Sequence, residues 1–452
     1  MQGFVGVNFE ELLREIGVVD FRELYSDVPS RYFLEKPPRL EGSHSEQEVY
    51  ERIRGMLGRN RAGGELKLFV GGGVWPHYIP AAVKEITARS EFLTSYTPYQ
   101  PEASQGILTA LFEYQSMVAE LYGVDAVNSS MYDWATALGE ALRMAHRYNG
   151  RRKLVVSSLA SRERLKVAET YCEPAGLEIV EFQHDKRGQA DEEKLKELVD
   201  RETAAVYIEN PTYLGSLVEN IKAVGEIAHD AGALFIVGAE PISLGLFKPP
   251  GAYGADVVVG EGQPLGLAMN FGGPLLGILG CRMDMRLIHA MPGRLIGMTE
   301  ELHGGRRAFT MILQAREQHI KRERATSNIC TNQALCALAA AVYLALLGRK
   351  GLRKLAQHIY LKTQYMIERF SRINGVKTPL VDALHYMEFT YRVEGVEPSE
   401  LLRKLLRKDI VGGIDVSGKF QLVGDGVLTC VTEVHSREDI EYYASALEEL
   451  TG

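Results

Sequence analysis

Seven residues, Tyr96-Thr97-Pro98-Tyr99-Gln100-Pro101-Glu102, place two phenols and a carboxamide among two prolines. Proline pins the backbone, so Tyr96, Tyr99 and Gln100 would be held at set angles, as groups facing a ligand or partner must be. The same composition also suits a surface turn ahead of the helical stretch 103–122. Asn128-Ser129-Ser130-Met131-Tyr132-Asp133 lies just before a helical pattern over 135–148. Hydroxyls and amides at a helix N-terminus can cradle a phosphate. Ser130 or Asp133 could equally cap the helix, and the charge of Asp133, which repels phosphate, favours the cap. Gly71-Gly72-Gly73 and Gly272-Gly273 lack the GK[ST] or GxGxxG context of a nucleotide loop and read as tight turns. His77, His229 and His303 have no metal-ligand spacing to other His or Cys, and Glu433 and His435 share at best one strand face, so no metal is expected. The chain has no GxSxG and no readable Cys–His signature, which leaves hydrolase chemistry without support.

The elements that would position these residues follow from the apolar pattern. Residues 1–65 read as a helical arm, with Ser43-His44-Ser45-Glu46 as a capping box before a helix toward Leu57. From 66 to about 300, short apolar runs alternate with amphipathic stretches: Lys153 to Ser157, Ala204 to Ile208, Leu234 to Val237, Asp256 to Val259 and Leu275 to Leu279. Apolar strands separated by helices imply an α/β layer with a mostly parallel sheet covered on both faces. The stretches 306–324, 332–347 and 351–373 read as three helices. Strands at 385–393 and 427–431 with helices at 399–408 and 436–450 make a small α+β domain. The expected domains are therefore 1–65, 66–330 and 331–452. A doubly wound large domain, connecting helices and a small C-terminal domain are also the architecture of many pyridoxal-phosphate (PLP) enzymes, an analogy that by itself gives no function.

Composition narrows the classes. A length of 452 residues exceeds one core and calls for two or three domains. With 46% hydrophobic and 24% charged residues the chain is neither disordered nor a disulfide scaffold. The net charge of −8 without a basic block argues against nucleic acid as a partner. No secretory signal is read at the start, and the longest apolar run, Ala334 to Leu347, is shorter than the roughly 20 residues a bilayer needs, so no membrane association is expected. The five cysteines form no CxxC pair and read as buried reduced thiols of a cytoplasmic protein. Scarce Asn and Gln and an excess of Arg over Lys, 33 to 18, hint at a thermophile.

Four segments carry a resemblance. Gly72-Gly-Val-Trp-Pro-His77 with Tyr96 to Gln105, Asn128 to Ala137, Gly254 to Gly266 with Asn270 to Pro274, and Arg322 to Asn332 are similar, in order and over nearly the whole chain, to the glycine cleavage system P-protein. This is the decarboxylating glycine dehydrogenase, and the similarity is to the first subunit of its split two-subunit form. The resemblance implies a PLP-dependent transferase of fold type I. It implies glycine decarboxylation, with the aminomethyl group passed to the lipoyl arm of the H-protein.

That chemistry needs a lysine to hold PLP as a Schiff base, and the fold places it after a late strand of the large domain, commonly as His-Lys. Here the matching dipeptide is Gln263-Pro264, and no lysine occurs between Lys248 and Lys321. Trp134 stands where the family usually has Gly and would fill space PLP needs. Glu240 stands where the family more often has the Asp that pairs with the pyridine nitrogen. The resemblance thus implies that PLP and its lysine belong to a partner, the second P-protein subunit, and that this chain completes the partner's site. The implied candidates are Tyr96, Tyr99 and Gln100 on the catalytic side and Thr326, Ser327 and Asn328 on the phosphate side. Two other readings stay open: a self-sufficient PLP enzyme of aminotransferase or desulfurase type, and a noncatalytic scaffold.

Overall fold

The computed structural model describes residues 8–34, 36, 38–270, 273–325, 327–329 and 332–451. It divides into two compact units, Met1–Ala62 and Gly63–Gly452. In the first unit the helices Phe9–Glu15 and Glu46–Leu57 contain no buried residue. The second helix is capped by Ser45, whose hydroxyl accepts from Glu48 N while Glu48 accepts from Ser45 N. The capping box therefore starts two residues later than Ser43. That start puts both Glu46 and Glu48 in the first turn, against the positive end of the helix dipole.

The second unit is built on a seven-stranded sheet. After β1 (Lys67–Leu68), which lies outside this sheet, its strands in chain order are β2 (Ala126–Val127), β3 (Lys153–Ser157), β4 (Glu178–Phe182), β5 (Thr203–Glu209), β6 (Leu234–Gly238), β7 (Val257–Glu261) and β8 (Gly277–Cys281). The sheet order is β2-β8-β7-β6-β5-β3-β4; β3 to β7 run parallel, and β8 is antiparallel to both its neighbours. Every residue of β5, β6 and β7 is buried, the mark of strands covered on both faces by helices, and the reason their sequences do not alternate. Among the covering helices are Gln105–Tyr122, Trp134–Asn149, Arg162–Cys172 and Ile221–Asp230.

The stretch 306–324 is not a helix. Leu295–Glu300 (β9) and Arg307–Ile312 (β10) form an antiparallel hairpin, followed by short helical turns such as Gln318–Lys321. The segment Arg307-Ala-Phe-Thr-Met-Ile312 lacks the alternation of apolar and polar residues that would announce a strand, and the charges around it suggested a helix. Two carboxamides of the helix Gln105–Tyr122 pin the hairpin as a third strand would. Gln105 bonds both N and O of Phe309, and Gln115 both N and O of Ile296, at 2.8–3.0 Å.

The helix Ala334–Ser371 joins the two halves of this unit and breaks at Gly348, whose φ of 55° only glycine adopts freely. By length and composition it could cross a membrane, yet half of its most apolar window is buried in the protein, as in a core helix. Beyond it, Val376–Lys377 (β11), Glu388–Val393 (β12), Ile410–Val411 (β13), Ile414–Asp415 (β14) and Val427–Cys430 (β15) follow. β11-β12-β15-β14 form an antiparallel sheet, two strands more than the sequence suggested, and β1 pairs with β13. Phe69 is buried in this second core with Phe370, Tyr391 and Tyr443, so the chain enters the C-terminal layer before building the large sheet.

Candidate functional site

The C-terminal ends of parallel strands are where this kind of sheet binds ligands. Here Glu209 closes β5, Glu261 closes β7, and Glu240 follows β6. The space beside Glu209 and Glu240, walled also by Trp75, Tyr213 and Glu388, measures about 20 Å³. One water fits in that volume, whereas small-molecule sites take roughly 300–1,000 Å³. The indole of Trp134 fills it: a Cβ on Gly238 would lie 2.6 Å from Trp134 Cζ2. Trp134 Nε1 donates to Tyr207 Oη at 3.2 Å, and Tyr207 donates to Glu209 at 3.0 Å. Arg164 closes the stack, its Cζ 3.6 Å from the centre of the Trp134 ring and its Nη1 2.8 Å from Glu209.

The polar groups around this plug are turned onto the protein's own backbone. At the N-terminus of Trp134–Asn149, where a phosphate would sit, Glu261 accepts from Trp134 N at 3.1 Å and Asp133 from Thr136 N at 2.7 Å. Glu261 also accepts from Gln263 N and Leu276 N. Asp133 is thus the cap, while the hydroxyls of Ser129 and Ser130 accept from Asn332 and Gln333. Gln263 accepts from Trp75 N and donates to the carbonyls of Trp75 and Leu267, tying the Gly72–Trp75 segment to the end of β7. Glu240 accepts from Ile242 N and Ser243 N, and Glu388 from Gly72 N. Burial pushes the carboxyls of Glu240, Glu261 and Glu388 up to about 7.

The residues singled out from the sequence lie elsewhere. Tyr96, 76% exposed, and Gln100 project to solvent, and Tyr99 is half-exposed. Buried Arg294 holds their loop: it donates to Thr97 Oγ1 at 2.9 Å and to Tyr99 Oη at 3.4 Å, and pairs with Glu317. His319 meets the Tyr99 ring edge-on. Ser327 donates to Glu140 at 2.5 Å, and its carbonyl accepts from Gln318 Nε2 at 3.4 Å. Tyr171 lies beside Asn328. Thr326 lies outside the described residues. The turn at 314–319 is therefore a common anchor for Tyr99 and Ser327, which are more than two hundred residues apart. Arg294, Arg164 and Glu388 were not singled out from the sequence, since each acquires its role from a partner far along the chain. Glu209 and Glu261 had a signal, an acid ending an otherwise apolar strand.

The glycine cleavage system P-protein family model matches residues 5–447. A probable glycine dehydrogenase (decarboxylating) subunit 1 of Staphylothermus marinus is 47% identical over 452 residues, covering 98% of this chain and 96% of that protein. The protein of the same description from Thermococcus kodakarensis is 48% identical over 443 residues, with 98% and 96% covered. A crystal structure of glycine decarboxylase, the P-protein of the glycine cleavage system, in inhibitor-bound form, superposes with a TM-score of 0.88 at 38% identity, over 99% of this chain and 100% of that one. A cysteine desulfurase of Thermococcus onnurineus, 18% identical over 89% of this chain and 98% of its own, has a TM-score of 0.61 and shares the fold alone. The architecture is that of fold type I PLP-dependent enzymes.

Proposed function

This chain belongs to the glycine cleavage system P-protein family, and from that premise we propose that it is the subunit of a decarboxylating glycine dehydrogenase that holds no PLP itself. The second subunit carries the cofactor, and this chain completes that subunit's active site. The carrying observation is the filled cleft: about 20 Å³ remain where the fold would seat PLP, occupied by Trp134 and Arg164. The residues there do not fit the cofactor. Gln263-Pro264 replaces the lysine dipeptide, no lysine lies between Lys248 and Lys321, and Glu261 already occupies the helix N-terminus that would take the phosphate. Glu240 faces backbone amides rather than a ring nitrogen.

PLP in the partner serves as the sink for the electron pair released as CO2 leaves glycine. This chain's contribution is positional. The hydroxyls of Tyr96 and Tyr99 and the amide of Gln100 reach solvent on a loop that Arg294 fixes, as donors meant for another surface need. Ser327 and Asn328, and by its sequence position Thr326, are the proposed phosphate-side group, and Ser327 is anchored through Glu140 and Gln318. The lipoylated H-protein receives the aminomethyl group from the assembled pair.

The test is a visible spectrum of the purified chain with PLP, before and after borohydride, alone and with the second subunit. Colour and a reducible adduct are expected with the second subunit only. A reducible adduct on the chain alone would overturn the reading and point to an independent PLP enzyme.

A further inference from the structure

Away from the plugged cleft, the helix Trp134–Asn149 lines a second, open one. Arg143 and Arg147, one turn apart, wall a cleft of about 340 Å³ together with Thr170, Tyr171, Ser327 and Asn328. That volume is within the range of small-molecule sites. Like charges four residues apart on a helix repel. One carboxylate of the cleft wall stands against the two, and it is poorly placed: Glu140 Oε2 is 3.7 Å from Arg147 Nη2, while Oε1 is engaged by Ser327. Arg147 Nη2 donates to Ala290 O at 3.1 Å, but its buried Nε has no hydrogen-bond partner among the described residues. Arg143 uses Nη1 on the carbonyl of Tyr171. The cleft therefore carries more positive charge than its own wall neutralises.

The donors come from three directions: the helix Trp134–Asn149, the end of the helix Arg162–Cys172 with Tyr171, and the segment at 327–328 with Asn328. A planar carboxylate presents two oxygens in one plane. A phosphate presents three oxygens around a tetrahedron and about −1.5 to −2 of charge, which matches two guanidiniums. We propose that this cleft binds a phosphate group, free or as the monoester of a small molecule, between Arg143 and Arg147. Neither arginine lines the space filled by Trp134, while the cleft shares Ser327 and Asn328 with the group proposed above to face the partner's cofactor; titration of the chain without its partner keeps the two questions apart.

Calorimetric titration of the full chain at fixed ionic strength tests this, with glycerol 3-phosphate, inorganic phosphate and, as the neutral control, glycerol. Saturable one-site binding is expected for a phosphate compound and none for glycerol, and the stronger of the two phosphate titrants identifies the source. Loss of one charge-assisted hydrogen-bonding group in Arg143→Gln should weaken binding about tenfold or more. Should that variant not fold, Arg143→Lys, which keeps the charge but not the fork, should bind severalfold weaker. Absence of saturable heat with both phosphate titrants overturns the proposal. So does unchanged affinity in whichever arginine variant folds.

Discussion

Arg164 and Glu209 are a charged pair taken almost wholly out of water, with an aromatic face closing one side. Such a pair adds little net stability, because desolvation offsets attraction, but removing one member strands the other. Arg164→Met is therefore expected to lower unfolding stability by about 3–5 kcal/mol, measured by urea denaturation of the chain. Arg164→Met combined with Glu209→Gln should regain most of that loss, since no unpaired charge remains. A double variant as unstable as the single one would mean that packing against Trp134, not charge, is what Arg164 supplies. The exposed phenol of Tyr96 makes the opposite case, with little to do for this chain's stability, and Tyr99 contributes only a long bond from Arg294. In the reconstituted two-subunit complex, Tyr96→Phe or Tyr99→Phe should reduce glycine–bicarbonate exchange about tenfold, the worth of one hydrogen bond to a charged group, with assembly intact. Unchanged exchange in both variants rules out a direct role for the two hydroxyls.

At the level of elements, the hairpin β9–β10 has no place in the large sheet and depends on two side chains. Gln105 and Gln115 each complete both backbone groups of one hairpin residue. Gln115→Leu would leave the N–H and C=O of Ile296 unpaired in a buried place, a loss of about 1–3 kcal/mol. Hydrogen exchange over 295–312 should then quicken while that of β5 and β6 does not; equal exchange in the hairpin would show that Gln115 is dispensable. The same hairpin marks the limit of what the sequence disclosed. β3, β5, β6 and β7 were legible because strands buried on both faces are short unbroken apolar runs between amphipathic helices. The hairpin was not, because its pinning partners lie 181 and 204 residues away along the chain. The cleft divides in the same way. Trp134 and the missing lysine stood out against the family's motifs, the first pointing to a filled pocket and the second to a chain that forms no Schiff base. Arg164 could not, because it gains meaning from a glutamate 45 residues on and an indole 30 residues back.

For the whole molecule, the buried titratable groups set a pH dependence whose sign can be worked out. Glu240, Glu261 and Glu388 have an ordinary value of 4.5 and are raised by burial to about 7 in the fold. Between those values the folded chain keeps three protons that the unfolded chain has lost, so stability falls as pH rises through the window and the loss is complete above it. His184 and His385 act in the other sense. Burial lowers them from 6.5 to about 4, so the stability they confer is full above 6.5 and is lost as pH falls toward 4. His435 is lowered as well, by burial, while the hydrogen bond that His229 donates to Asp256 raises His229 and partly offsets it. The carboxyl window reaches higher than the histidine window, and near neutrality the carboxyls dominate. Melting temperature should therefore rise as pH falls from about 7.5 to about 6, level off as the histidines begin to count, and drop below about 4.5. Asp256 and Glu433, which their hydrogen-bonding partners keep low against the pull of burial, add to the two histidines in that last drop. Glu240→Gln should flatten the upper limb of the profile and leave the acid limb in place. A wild-type melting temperature that falls between pH 7.5 and 6 would mean that the three carboxyls stay ionised in the folded chain, held by the backbone amides that face them.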